Sequence, residues 1–244
     1  MKVLDKDSAV FLDFDGTLVD IVGTPQAVVL PQGLLHTLTA LHELLGGAIA
    51  CISGRSYQDL TGWLGNTPLA LVGSHGAELL GAAPPNSQLQ DLATWCSREL
   101  QAWPSTLVET KSCGLALHWR QAPQAESKVR QLADQLLQAL PEHRLCEGKK
   151  VLELVPRQSN KGIALQQLMQ RPEFRGKRPI FVGDDYTDIP AMQAAQNLGG
   201  VALAVGDRVQ DYAQGGFNGP AQVIDWLRRS AHALREEAEA RSLP

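Results

Sequence analysis

Two aspartates stand one residue apart in Asp13-Phe14-Asp15-Gly16-Thr17, directly after an apolar run at 9–12. Carboxylates at i and i+2 on a strand end can chelate one hard cation, using a side chain and a nearby carbonyl. One of them can attack an electrophile as a nucleophile. The other can act as acid and then base, provided its pKa is set apart from its neighbour's. Gly16 lets the chain turn so that the amides of Phe14 and Asp15 face an oxyanion. Ser53-Gly54-Arg55 offers a hydroxyl at a helix start, an anion-binding arrangement. Lys161 opens a predicted helix, where the dipole disfavours a cation. A residue that breaks a local rule in this way points to function. Gly183-Asp184-Asp185-x-x-Asp188 places three carboxylates within six residues. That crowding is repulsive unless a cation or a lysine compensates it. Ordinary turn chemistry accounts for the serine, and solvation for a lone lysine. A capped helix start explains one aspartate but not three.

These groups must be brought together by the elements that carry them. Apolar runs at 9–12, 48–52, 69–72, 179–182 and 201–205 read as buried strands. Helices alternate with them. One carries Leu34, Leu38, Leu41 and Leu45 on one face and stops at Gly46-Gly47. Another is capped by Ser56, a third starts at Lys161 with Ile163, Leu168 and Met169, a fourth spans 188–196, and a last one begins at Pro220. Strand–helix alternation predicts a parallel α/β sheet. Ligands of such sheets bind outside the carboxyl ends of the strands. Polar clusters about 170 residues apart in sequence can therefore converge there. The loop with Pro25 and Pro31 joins the first strand to its helix, and the polar residues from Glu236 to the end are expected to fray.

Between residues 82 and 156 the rhythm changes to αββαββ, which predicts an antiparallel sheet covered by two helices. The expected division is a core of 1–81 and 157–244 with an inserted cap of 82–156, a plausible size for a small domain. Period-2 alternation places Glu109 and Lys111 on one face of the first cap strand. It sets Leu115, Leu117 and Trp119 against His118 and Arg120 in the second, and Leu152 and Leu154 against Glu153 in the last. One face of this sheet is thus apolar, for its helices, and the other bears Glu109, Lys111, His118, Arg120 and Glu153.

Composition narrows the classes. With 22 Lys+Arg against 26 Asp+Glu the net charge is −4, without the basic footprint of a nucleic-acid binder. No apolar run approaches the length of a membrane span, and the first ten residues carry two aspartates where a signal peptide is positively charged. Cys51, Cys96, Cys113 and Cys146 form no C-x-x-C pair, so they are read as structural rather than zinc-binding. The expectation is a cytoplasmic monomer with no nucleic-acid or membrane partner. His36, His42, His143 and His232 are read as surface residues.

D-F-D-G-T, S-G-R, a lysine and G-D-D-x-x-D, in this order, resemble the haloacid-dehalogenase-type phosphohydrolases. A further set is similar to the trehalose-6-phosphate phosphatase family: F-L-D-F-D-G-T-L-V-D at 11–20, I-S-G-R-S at 52–56, G-S-H-G-A-E at 73–78, A-L-H-W-R-Q-A-P at 116–123, L-E-L-V-P-R at 152–157 and F-V-G-D-D-Y-T-D at 181–188. The likeness runs over nearly the whole chain. It implies a Rossmann-like core with an αββαββ cap, and a Mg²⁺-dependent phosphatase working through an aspartyl-phosphate on a sugar phosphate. By the resemblance Asp13 is the nucleophile, Asp15 the general acid/base, Ser53 and Lys161 the phosphate-binding pair and Asp184 a magnesium ligand. Asp15 and Asp188 complete the candidate metal set. Gly54 and Arg55 join the anion site, and Glu109, Lys111, His118, Arg120 and Glu153 match cap positions that hold sugar hydroxyls. His75 and Glu78 follow a core strand and are candidates to reach the sugar. The chain departs from the family pattern at Ser74, Asn160 and Ile189. Alternatives are a phosphatase for another sugar phosphate, of the sucrose or mannosylglycerate type, or a non-catalytic sensor. The four intact motifs argue against the sensor.

Overall fold

A computed structural model describes residues 2–22, 27–81 and 86–242. The segment around Pro25 and the expected start of the cap, residues 82–85, lie outside the described residues.

Every residue of β1 (Ser8–Leu12) is buried, because it lies between two parallel neighbours, β2 (Ile49–Ile52) and β9 (Arg178–Gly183). A strand enclosed in this way reads as a continuous apolar run. The sheet continues outward through β3 (Ala70–Gly73) and the short antiparallel β4 (Glu78–Leu79) on one side. On the other side lie β10 (Val201–Val205) and β11 (Gly215–Phe217), giving the order β11-β10-β9-β1-β2-β3-β4. The chain winds one way from β1 through β2 and the other way through β9. The topological switch point, where such sheets bind ligands, is therefore at the end of β1.

Register does the positioning. Leu12 pairs with both Cys51 and Val182, so Asp13, Ser53 and Gly183-Asp184 emerge side by side. Helix α1 (Leu34–Leu44) packs against α7 (Pro220–Ser242), and α5 (Lys161–Leu168) against α6 (Ile189–Asn197). α2 (Tyr57–Leu64) leans on β3, capped by Ser56 Oγ accepting from Asp59 N at 3.1 Å. The core of this part joins Phe11, Phe14, Leu38, Phe181, Met192 and Trp226 in one cluster.

The intervening segment forms its own sheet. In chain order it runs α3 (Ser87–Glu99), β5 (Leu107–Lys111), β6 (Gly114–His118), α4 (Glu126–Ala139), β7 (His143–Gly148) and β8 (Val151–Pro156). The sheet is antiparallel, ordered β5-β6-β8-β7. Leu115, Leu117, Leu152 and Leu154 face Leu89 and Cys96 of α3 and Val129, Leu132 and Leu136 of α4 in a second hydrophobic cluster. The αββαββ order, the antiparallel sheet and its apolar face agree with the alternation read from the sequence.

Three expectations are corrected. β4 and β11 were not anticipated: one is two residues long, and the other, Gly-Gly-Phe, has almost no side chains to signal a strand. Residues 236–242 remain helical rather than fraying, supported by i,i+4 ion pairs such as Arg241–Glu237 and His232–Glu236. His42 and His143 are half-buried, the latter with Nε2 3.0 Å from the Cys113 carbonyl, whereas His36 and His232 are exposed.

Candidate active site

Asp13 leaves the sheet at the end of β1, where its N–H still donates to the Val182 carbonyl at 2.9 Å. Its carboxylate Oδ1 is 2.7 Å from Lys161 Nζ, and the same ammonium lies 2.6 Å from Asp188 Oδ1. Lys161 is almost completely buried. Its place at the start of α5 is explained by these two carboxylates, which outweigh an unfavourable dipole. Asn160 caps this helix by accepting from Ile163 N at 2.9 Å, so its departure from the family pattern keeps the capping role.

Asp188 is fully buried and spends its other oxygen on the N–H groups of Asp184 and Asp185, at 2.9 and 3.0 Å. It thereby fixes the turn that presents Asp184. Carboxylate oxygens of Asp13, Asp184 and Asp188 all lie within 4.8 Å of one another. Burial and the negative charges of Asp188 and Asp184 raise the Asp13 carboxyl well above the usual range, against the pull of Lys161. Burial and Asp188 push Asp184 up to about 7. Burial draws Lys161 down, but Asp13 and Asp188 more than compensate, so it stays a cation above the usual lysine range. One ammonium thus faces three crowded carboxylates. The donor set, hard oxygens with unrelieved repulsion, fits a divalent cation such as Mg²⁺. Gly16 closes this corner: its φ is +78°, and a Cβ there would lie 2.2 Å from Asp184 Oδ2.

Asp15 corrects part of the expected metal set: its carboxylate is taken by Arg55, which leaves its backbone carbonyl as the donor it can offer. Its side chain turns away from the cluster and is forked by Arg55, with Nε to Oδ2 at 2.7 Å and Nη2 to Oδ1 at 2.6 Å. A carboxylate bound this way is not a metal-facing ligand in this arrangement. Ser53 is buried beside Asp13, and its Oγ accepts from Arg55 N at 3.1 Å.

Ser74 and His75 follow β3 with φ of 48° and 55°, two consecutive non-glycine residues in the left-handed region. The His75 N–H donates to the Ser53 carbonyl at 2.9 Å, and its ring lies against Gly54, where a Cβ would be 2.6 Å from Cε1. Burial lowers the His75 pKa despite Glu153. Glu78 is a second correction. It is buried behind the site rather than in it, and its Oε2 accepts from Tyr57 N at 2.8 Å and Ser74 Oγ at 2.7 Å. It supports the strained turn instead of reaching the cavity.

The second sheet roofs the cavity. Pairing aligns Glu109, Ala116, Glu153 and Cys146 in one row, and Leu107, His118, Val151 and Gly148 in the next. The small Ala116 leaves room between two carboxylates. Glu153 bonds Lys111 and lies 3.1 Å from His75 Nε2, and Lys111 Nζ donates to the Gly54 carbonyl at 2.8 Å. Burial alone would raise the Glu153 pKa, but Lys111 and His75 hold it well below the usual carboxylate range. Glu109 lies 2.9 Å from His118 Nε2. Arg120 stands at the rim and donates to the Val22 carbonyl at 2.7 Å. The cavity between the two sheets, about 270 Å³, has Asp13, Asp15, Ser53, Lys161 and Asp184 on its floor and the polar cap residues above.

The sequence reading missed Trp63, whose ring lies under Arg55, and Arg208, which pairs with Asp185 at 2.8 Å and stacks over Tyr186. Trp63 carries no sequence signal beyond an aromatic on a helix. Arg208 stands shortly after the end of β10, the kind of position where ligand residues gather.

Comparison with known proteins places this geometry. The fold matches a phosphatase of the haloalkanoate (HAD) superfamily from Bacteroides thetaiotaomicron with a TM-score of 0.59 at 18% identity, covering 92% of this chain and 94% of that one. It matches the C. albicans trehalose-6-phosphate phosphatase C-terminal domain with a TM-score of 0.74 at 22% identity, covering 92% of both. The fold is therefore of the haloacid-dehalogenase type, with a parallel core and an inserted αββαββ cap. In sequence the chain is 34% identical over 236 residues to the trehalose-6-phosphate phosphatase of Escherichia coli, covering 94% of this chain and 88% of that protein. Residues 11–206 match the trehalose-phosphatase family model. The chain belongs to the trehalose-phosphatase family and is a phosphoric monoester hydrolase. Among the described residues no helix is long and apolar enough to cross a membrane.

Proposed function

We propose that the protein hydrolyses trehalose 6-phosphate to trehalose and inorganic phosphate through an aspartyl-phosphate on Asp13. The reading rests above all on Asp13 at the switch point, 2.7 Å from the buried Lys161 and beside Asp184, in a chain of this family. Asp13 attacks phosphorus opposite the sugar oxygen. As that P–O bond breaks, Asp15 gives its proton to the departing oxygen. Asp15 then takes a proton from water, which attacks the phosphorus and frees Asp13 and phosphate. Lys161, Ser53 and backbone amides hold the equatorial oxygens, where charge is spread. Asp13 and Asp184 would hold Mg²⁺, with Asp188 orienting Asp184. When bound, the ion neutralises charge on the phosphoryl oxygens.

In this reading Glu109, Lys111, His118 and Glu153 hydrogen-bond sugar hydroxyls, and His75 and Arg120 close the cavity around them. The division into a core of 1–81 and 157–244 and a cap of 82–156 is supported by the two separate hydrophobic clusters. We place the enzyme in the cytoplasm as a monomer, consistent with its acidic charge and unpaired cysteines.

Asp13→Asn tests the chemistry, since an amide cannot form the acyl phosphate. Phosphate release over a panel of sugar phosphates should be abolished in that variant, with the thermal transition retained. In the wild type it should be fastest for trehalose 6-phosphate. Residual turnover above a few per cent at matched purity rules out covalent catalysis by Asp13. Faster release from a sucrose or mannosylglycerate phosphate reassigns the substrate.

A further inference from the structure

The expected role of Arg55 was anion binding, yet its guanidinium is already committed. Nε and Nη2 both bond the Asp15 carboxylate, at 2.7 and 2.6 Å, in the parallel two-point geometry that fixes orientation as well as distance. The guanidinium is itself held from below. Its carbon lies 5.1 Å from the centre of the Trp63 ring, a cation–π contact. Trp63 stacks at 5.3 Å and 23° on Phe14, which is fully buried and sits between the two aspartates in sequence. Ser53 Oγ anchors the Arg55 backbone. A continuous chain of contacts therefore runs from the core through Phe14, Trp63 and Arg55 to the carboxylate of Asp15.

We propose that Arg55 is a positioning residue that aims Asp15 at the leaving oxygen, with Trp63 as its backing, rather than a ligand for phosphate or sugar. The inference rests on the assignment of Asp15 as general acid/base. A carboxylate offers about four lone-pair sites. The fork takes one on each oxygen and leaves the opposite side of the group open to the cavity, onto which Asp15 is 32% exposed. Proton transfer needs the two heavy atoms within about 2.6–3.2 Å, and a misplacement of about 1 Å can cost 10²-fold. An untethered aspartate at a glycine turn would rarely meet that demand. Lysine cannot replace the fork, because an ammonium is a point charge on a flexible stem.

Leaving-group dependence reads this role. An alkyl oxygen departs slowly without a proton, whereas p-nitrophenolate departs without one. Values of kcat/KM for ethyl phosphate and p-nitrophenyl phosphate, neither of which carries a sugar, and for trehalose 6-phosphate should be measured with the Mg²⁺-loaded wild type, Arg55→Lys, Arg55→Ala, Trp63→Leu and Asp15→Asn. kcat/KM reports only steps through formation of the phospho-enzyme, so the later hydrolysis does not enter. The inference expects both Arg55 variants to lose roughly 10- to 100-fold on the alkyl ester and under about 3-fold on the aryl ester. Trp63→Leu should show the same pattern, weaker, and Asp15→Asn the same pattern, stronger. If Arg55→Ala does not fold, Arg55→Lys and Trp63→Leu carry the same comparison. Equal losses on both esters would make Arg55 a phosphate ligand and overturn the proposal. Loss on trehalose 6-phosphate alone, with both small esters unchanged, would make it a sugar contact and overturn it too. If Asp15→Asn itself shows no leaving-group dependence, the acid/base assignment falls, and the proposal with it. If Asp15→Asn shows it and the Arg55 variants do not, only the positioning role falls.

Discussion

Lys161 joins a structural task to the phosphate-holding role proposed for it. Among the described residues its ammonium is the one cation bonded within the cluster of Asp13, Asp188 and Asp184. Removing one partner of a buried ionic cluster leaves uncompensated charge, at a cost of about 3–5 kcal/mol. Lys161→Ala should therefore lower the melting temperature as well as abolish turnover of both sugar and aryl phosphates. The remaining repulsion between carboxylates is available to a metal. Saturating Mg²⁺ should raise the melting temperature by roughly 5–10 °C, since ligand at 100 times Kd contributes about 2.7 kcal/mol and each kcal/mol moves a chain of this size by about 2–4 °C. Asp184→Asn should lose most of that rise, and EDTA should silence the wild type reversibly. A melting curve indifferent to Mg²⁺, or full activity after exhaustive chelation, would remove the metal from the site. Gly16 has a different task. Alanine there must hold a left-handed φ, at about 1–2 kcal/mol, and its methyl group would displace Asp184. Gly16→Ala should lose far more activity than stability. Asp13 and Asp184 were legible in the sequence from the spacing and crowding of carboxylates at strand ends, and Lys161 from its conflict with the dipole at a helix start. Glu78 was misread because the turn before it is left-handed at Ser74 and His75, which carries its side chain behind the sheet.

At the scale of elements, strands bounded on both sides were readable and short edge strands were not. β1, β2 and β9 announce themselves as unbroken apolar runs because neighbours cover them on both faces. β4 and β11 pair with one neighbour only and contribute two and three residues, too little for a periodicity to appear. The cap sheet was the most legible part, since alternation assigned its two faces correctly. Its polar face now admits a quantitative test. Glu153 is held below its ordinary pKa by Lys111 and His75 against the opposing effect of burial. A group depressed in the folded state adds stability that is fully present above its unfolded pKa, about 4.3 for Glu, and that fades as pH falls below it. The melting-temperature difference between wild type and Glu153→Gln should therefore be constant from pH 7 to about 5 and shrink below about 4.3. A difference that grows on acidification would contradict the ion-pair assignment. The same face, if it reads the sugar, should matter only to the sugar. Alanine at Glu109 should lower kcat/KM for trehalose 6-phosphate by roughly 10- to 100-fold, the scale of one charged hydrogen bond at about 1.5–3 kcal/mol, and leave p-nitrophenyl phosphate nearly untouched. Equal losses on both would assign Glu109 to closure or folding instead.

The whole molecule places its two sheets on opposite sides of one cavity, and several side chains among the described residues join them. Lys111 reaches the Gly54 carbonyl, Glu153 meets His75, and Arg120 meets the Val22 carbonyl. The first two pairs use side chains that the substrate would also use. Without substrate, they hold the cap down by bonding to the floor. With substrate, the sugar hydroxyls would exchange into those bonds. Such an exchange would cost little, since each bond broken is replaced by another of similar strength. The double variant Lys111→Met, Glu153→Gln removes the latch while conserving side-chain length. It should shift the resting population toward open forms, seen as a larger radius of gyration in solution scattering than that of the wild type at the same concentration. If the same side chains also hold the sugar, adding trehalose should not restore the compact form in the variant. Single Lys111→Met should show an intermediate expansion, since Glu153 still meets His75. Turnover of p-nitrophenyl phosphate should persist in both, as the core motifs are unaltered. Identical scattering from wild type and double variant would show that Arg120 and the Arg144 bond to the Ser159 carbonyl at 2.8 Å suffice to hold the cap, and that Lys111 and Glu153 serve the sugar alone.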